Sequence, residues 1–406
     1  MRLHCLAKPV LFVVLILLFS GGLSLRGMVF CSTADLGYNT SAPNVSGTPT
    51  DGGWQWVGYW GSFQGTPIDA HHFLAANHVG GTVGDLFIFQ SVNYTTVQTY
   101  GDASSDLRIW EVREPFPTWA PLYRNSTESG SMMVFGRGVT RGAEVRTTVD
   151  VTGVPANSLA GWQWGGYDGK LRWGQNTVVA LANGGGFGQQ LVATFDKAGG
   201  VNECDLGSLD SSAPVFIKDG TAWKLAGVAG LVDGGFSTTS GGATFNAFIF
   251  DKRGLFIGGN SGPTTGSSPV PCAFYSTRVS ARIAWIDSVL ATPLTATLIL
   301  GNLSQTYDGS PHPVTVTTNP AGLSVSVTYD GAAAAPINAG SYAVVATVTS
   351  SGYSGSASGT LTIAAEQTNS SSSDVPISSP QAIVIMALLL LVTGSSHLRK
   401  STRRNT

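Results

Sequence analysis

The chain has 406 residues, of which 43% are hydrophobic and 11% charged, and its formal net charge is -2. That apolar share suffices for packed cores in two or more domains and excludes a disordered chain, while the near-neutral balance excludes the basic field that nucleic-acid binding requires. The four cysteines, Cys5, Cys31, Cys204 and Cys272, follow no zinc-site spacing and so give no sign of a metal site.

In chain order, Arg2 and Lys8 accompany an apolar run from Pro9 to Phe19 that is shorter than a membrane span. Residues 1–34 therefore read as a secretory signal peptide, with small residues suited to cleavage at Ser20-Gly21-Gly22 and again at Ser32-Thr33-Ala34. Phe30 stands before Cys31 where lipidation wants a small residue, which argues against a lipid anchor. From residue 50 to 290, short apolar or alternating runs are broken by Gly, Asn and Asp, the pattern of an all-β body. Its clearest strands are residues 83–89, 107–112, 131–136, 191–195 and 223–229. Helical spacing enters only over residues 275–290, and the Gly/Ser/Thr/Pro-rich stretch at 260–271 reads as a surface loop.

Ala291-Thr292-Pro293 reads as a linker into a second domain at 294–363, where Val, Thr and Ser alternate between turn signals such as Asp308-Gly309 and Asp330-Gly331. Residues 364–380 are Ser/Asn/Thr-rich and form a flexible linker. Residues 381–406 join the apolar run Ala382 to Val392 to a tail containing Arg399, Lys400, Arg403 and Arg404. This resembles the C-terminal sorting signals of bacterial exported proteins. The run falls short of the ~20 residues of a stable span, which favours a processed tag over a permanent membrane anchor.

The chemistry centres on Ser211. A serine hydroxyl is a weak nucleophile near neutral pH and needs a general base, a carboxylate to orient that base, and donors for the developing oxyanion. His78 follows the apolar run Phe73-Leu74-Ala75-Ala76, and Asp106 directly precedes the apolar run Leu107-Arg108-Ile109-Trp110. Asp102 competes for the second role, and His71 and His72 lie near His78. Asp210-Ser211-Ser212-Ala213-Pro214-Val215 resembles the Gly-Asp-Ser-Gly-Gly-Pro-Val turn of trypsin-like serine peptidases. Phe73 to Val79 is similar to that family's Val-Leu-Thr-Ala-Ala-His segment, Asp106 to Trp110 to its Asp-Ile-Ala-Leu-Leu segment, and residues 275–290 to its last strand and C-terminal helix. In the second domain, Gln305-Thr306-Tyr307-Asp308-Gly309, Thr328-Tyr329-Asp330-Gly331 and Ala339-Gly340-Ser341-Tyr342 resemble the bacterial immunoglobulin-like modules called MBG domains.

These resemblances imply an all-β chain of two six-stranded β-barrels followed by a small immunoglobulin-like sandwich with a spacer or adhesion role. They imply an exported, cell-surface serine endopeptidase acting on protein or peptide substrates, with His78, Asp106 and Ser211 as its catalytic triad. The N–H groups of Leu209 and Ser211 would form the oxyanion hole, Asp205 and Gly230 would bind substrate, and Cys204 and Cys272 would form a disulfide. Leu209 stands where the family has Gly, and its Cβ restricts the backbone there. Asp210, the family's partner for a new N-terminal amine, finds no matching activation sequence. Both departures support an alternative, a catalytically inactive peptidase fold used for surface adhesion or binding.

Overall fold

The computed structural model describes residues 28–43, 52–258 and 260–366. Most of the expected leader, nearly all of the flexible linker and the apolar C-terminal run lie outside the described residues. No helix among the described residues is long and apolar enough to cross a membrane.

The chain enters through β1 (Val29–Phe30), whose residues pair with Asp205 and Cys204. Met28, Val29 and Phe30 are buried. Residues 28–34 fall within the span that the sequence assigns to the leader, yet their first three side chains here complete the core of the following domain.

Six strands then close into a barrel: β2 (Gly58–Trp60), β3 (Phe63–Pro67), β4 (His72–Ala76), β5 (Leu86–Phe89), β6 (Val92–Gly101) and β7 (Leu107–Val112), in the order β2-β3-β4-β7-β6-β5. Closure leaves no unpaired edge. β5 shows why its residues form a strand: Phe87 and Phe89 face inward and are buried, while Leu86 and Ile88 face outward. The barrel interior is aromatic, with Phe73 stacked on Phe87 at 4.0 Å between ring centroids and Trp60 at 5.3 Å from Phe73.

The next half is built on β8 (Ser131–Gly136), β9 (Val139–Arg146), β10 (Leu159–Tyr167), β11 (Arg172–Thr177), β12 (Ala180–Asn183), β13 (Gln189–Thr194), β14 (Cys204–Asp205), β15 (Pro214–Asp219), β16 (Ala222–Val232), β17 (Phe236–Ser237), β18 (Ala247–Ile249), β19 (Phe256–Ile257) and β20 (Ala273–Arg278). Seven of them form one sheet in the order β11-β8-β15-β16-β20-β13-β12, and β18-β10-β9 form a second. The five strands expected from the sequence appear as β5, β7, β8, β13 and β16. Helix α1 (Ile283–Leu290) follows, and its Ile286 and Val289 pack into the core that Leu107, Ile109, Phe135 and Phe216 share between the two halves.

The C-terminal module contains β21 (Leu294–Thr295), β22 (Thr297–Gly301), β23 (Ser304–Thr306), β24 (Thr315–Asn319), β25 (Val325–Tyr329), β26 (Gly340–Val348), β27 (Tyr353–Ser354) and β28 (Ser356–Ala364). A four-stranded sheet β23-β28-β26-β25 covers the pair β22-β24. Val344, Ala346, Leu361 and Ile363 alternate into that interior. The buried Glu111 of the barrel accepts the Thr295 N–H at 2.6 Å and the Tyr100 hydroxyl at 3.1 Å, joining the module to the first barrel.

Phe73→Ala should lower stability by about 3–5 kcal/mol, because it removes a fully buried ring packed between two other rings. Denaturant unfolding of the full chain checks this; a loss below about 1 kcal/mol contradicts the packing described.

Candidate active site

Every side chain of β4 is buried, and the strand ends in a short turn, Asn77–Val79, that carries His78 to the open face. The register pairs Ala76 with Leu107, so this turn lies beside Asp106 at the start of β7. Asp106 grips it twice: Oδ1 accepts the His78 N–H at 2.9 Å, and Oδ2 lies 2.6 Å from His78 Nδ1. The other imidazole nitrogen, Nε2, is 2.8 Å from Ser211 Oγ, on the turn between β14 and β15. With Nδ1 protonated toward Asp106, Nε2 is the acceptor for the serine hydroxyl. Asp106 is 6% exposed and the His78 side chain 34% exposed, so the carboxylate is enclosed while the imidazole reaches solvent.

Asp102 is engaged elsewhere. Its carboxylate accepts from Arg282 Nε and Nη2 at 2.6 and 2.8 Å, tying the residue before α1 to the barrel. Burial pushes its pKa up, but hydrogen bonds from Arg282, Ser105 and Ser104 outweigh that and hold it below the usual carboxylate range. His72 is buried against Asp69, and His71 Nδ1 faces the Val112 carbonyl, so neither shares the contacts of His78.

The Ser211 turn is shaped by Asp210. Its carboxylate is buried and accepts the N–H of Gly138 at 2.7 Å and of Gly207 at 2.9 Å. Backbone donors thus occupy the two oxygens that the family resemblance assigns to an N-terminal amine. Leu209 adopts a φ of 69°, the left-handed conformation that its expected glycine would take freely. Neither the Leu209 N–H nor the Ser211 N–H has an acceptor among the described residues, which leaves two donors free on either side of Asp210.

Two further residues border the site, and nothing in the sequence pointed to their contacts. Gln64 of β3 is fully buried; with its amide oriented by its hydrogen bonds, Nε2 donates to the Ser211 carbonyl at 3.2 Å and Oε1 accepts the Arg137 N–H at 3.0 Å. Phe187 lies with its ring centroid 6.0 Å from that of His78, and its carbonyl accepts the Asp106 N–H at 3.4 Å. Gly230 also borders the site, since a Cβ there would stand 3.1 Å from Asp106 Oδ2.

The other substrate-binding candidate, Asp205, is enclosed. It is 2% exposed and its Oδ2 accepts the Cys272 thiol at 3.0 Å, so its carboxyl faces the interior.

The expected Cys204–Cys272 disulfide is absent: both are free thiols, as is Cys31. Strand alternation accounts for the difference. Neighbours on β14 point to opposite faces, so Asp205 takes the side facing Cys272 while Cys204 packs on the other side, against Gly174 of β11. Burial pushes both thiols well above their usual range and keeps them protonated.

The model of the MBG domain family matches residues 296–367. No curated protein matches the chain. Among solved structures, neuropsin, a serine protease expressed in the limbic system of mouse brain, aligns with a TM-score of 0.34 at 13% identity, covering 58% of this chain and 94% of that one. The Vibrio cholerae VesB protease aligns with a TM-score of 0.33 at 12% identity over 74% of this chain and 90% of its own. Kallikrein-related peptidase 10 gives 0.32 at 14% identity over 60% and 98%. The match at 296–367 agrees with the resemblance of the second domain to MBG modules, and the closed barrel agrees with the all-β reading of the first.

Glu203, Asp205 and Asp210 are each pushed up to about 7, chiefly by burial, with backbone N–H groups pulling Asp210 the other way. Unfolded carboxyls titrate near pH ~4. Between about 4 and 7 the folded chain therefore keeps protons that the unfolded chain has lost. The stability these groups contribute is present below that window and lost as pH rises through about 7. Unfolding midpoints should fall from about pH 5 to 7.5, and Asp205→Asn should flatten the decline. A midpoint that rises over this range contradicts the assignment.

Proposed function

We propose that this chain is an exported serine endopeptidase that hydrolyses peptide bonds of protein or peptide substrates through an acyl-enzyme. The observation that carries the reading is the continuous path Asp106 Oδ2, His78 Nδ1, His78 Nε2, Ser211 Oγ, with outer contacts of 2.6 and 2.8 Å. Ser211 Oγ would attack the substrate carbonyl carbon as its proton passes to His78 Nε2. The carbonyl oxygen becomes an oxyanion and takes hydrogen bonds from the free N–H groups of Leu209 and Ser211. Asp106 holds the imidazole in the correct tautomer and stabilises the imidazolium without itself taking the proton. Collapse of the intermediate breaks the C–N bond, and His78 returns its proton to the leaving amine. Water, deprotonated by the same imidazole, then releases the acyl group and restores Ser211.

Export and surface display are read from the basic and apolar N-terminal run and from the apolar C-terminal run with its basic end. The alternative, an inactive peptidase fold that binds partners, drew on Leu209 in a glycine position and on the missing activation sequence. The positive φ of Leu209 removes much of that motive, because the residue holds the conformation a glycine would take.

Wild-type protein should react with a fluorophosphonate probe and cleave members of a peptide library. Ser211→Ala should abolish labelling, and Asp106→Asn should slow turnover by about 10⁴-fold, the scale of losing the correct imidazole tautomer. Wild type that neither labels nor cleaves any peptide would favour the binding protein.

A further inference from the structure

The residue after the nucleophile has a role of its own. Ser212 is 1% exposed and holds a φ of 68°, in the left-handed region where a side chain is strained. Its N–H donates to the Ala229 carbonyl at 2.7 Å, so its backbone belongs to the second half of the domain. Its Oγ accepts the Ala76 N–H at 2.9 Å, at the end of β4 in the first barrel. Three successive N–H groups leading into the His78 turn are thereby accounted for. Ala76 donates to Ser212 Oγ, Asn77 to the Asp106 carbonyl at 2.9 Å, and His78 to Asp106 Oδ1 at 2.9 Å. The turn that carries the imidazole is tied on one side to the carboxylate and on the other to the residue beside Ser211.

We propose that Ser212 is a positioning residue whose buried hydroxyl sets the distance between the His78 turn and Ser211 across the two halves of the domain. A glycine at 212 would relax the backbone, but it would leave the Ala76 N–H without an acceptor and the two turns without this bond. Serine is kept at a strained angle because the hydroxyl is needed there. Ser212 touches neither substrate nor reacting atoms; it acts through the placement of His78. A displacement of about 1 Å between reacting groups slows catalysis by roughly 10²-fold, so a bond that fixes their spacing acts mainly on kcat.

This inference rests on Ser211 being the nucleophile, and the test separates the two claims. Ser212→Gly should fold, the relief of its backbone offsetting the lost Ala76 bond, yet label with fluorophosphonate about 10- to 100-fold more slowly, with KM for a cleaved peptide unchanged within about twofold. Ser212→Thr keeps the hydroxyl on a more strained backbone, so it should be less stable but retain most of the rate. Amide exchange at Ala76 should quicken about tenfold in the glycine variant, while Asn77, bonded to Asp106, stays protected. A glycine variant that labels at the wild-type rate overturns the proposal, as does a folded threonine variant as slow as glycine. If the threonine variant does not fold, the glycine variant decides alone. Wild type that fails to label refutes the nucleophile assignment, and exchange at Ala76 then still decides whether Ser212 joins the two turns.

Discussion

The site depends on how one buried carboxylate, Asp210, folds the turn around it. A carboxylate taken out of water needs donors for its oxygens. Asp210 finds them in the N–H groups of Gly207, on its own turn, and Gly138, just before β9. Gly138 must be glycine for this approach, since a Cβ there would collide with the Ser208 carbonyl oxygen and with the Asp210 carboxylate. Drawing Gly207 and Asp210 together over so few residues forces the chain between them to turn sharply, and Leu209 takes the left-handed conformation as a result. The free N–H groups at Leu209 and Ser211 are thus a by-product of satisfying Asp210. Strain of about 1–2 kcal/mol in one residue is tolerated because the surrounding hydrogen bonds determine its angle.

A candidate triad drawn from two separately built halves needs register on both sides. His78 and Asp106 are set by the β4–β7 ladder, in which the pairing of Ala76 with Leu107 fixes the turn beside the carboxylate. Ser211 is set by the ladder of β15 and β16, which begins with Pro214 opposite Val228. Backbone pairing settles each half alone; the core of Leu107, Phe135, Phe216 and α1 presses the halves together without fixing their relative slide to a fraction of an ångström. Directional bonds across the seam do that: Gln64 to the Ser211 carbonyl, Ser212 to Ala76, and His78 to Ser211.

The contact chain Asp106, His78, Ser211 was legible in the sequence because each member sits at the boundary of an apolar run, where a strand delivers a polar residue to an open end. His78 follows β4, Asp106 precedes β7, and Ser211 precedes β15 by a short turn. The preference for Asp106 over Asp102 followed the same logic, and Arg282, far along the chain, accounts for the losing candidate. What failed was inference that needed side-chain direction. Cys204 and Asp205 are neighbours, so only one of them can face Cys272, and sequence separation does not say which. Leu209 read as a restriction because its residue type disfavours positive φ, and in the turn that Asp210 closes onto Gly207 it holds a φ of 69° nonetheless. Gln64 could not be found by pattern, since its role comes from a seam between sheets that no local period records.

The most direct test of the account is the structure of the protein after reaction with a fluorophosphonate. Phosphorus should be bonded to Ser211 Oγ, with the phosphoryl oxygen about 3 Å from both the Leu209 and the Ser211 nitrogens and His78 still in contact with Asp106. An unmodified Ser211, or an adduct whose oxygen points away from those two N–H groups, would contradict it.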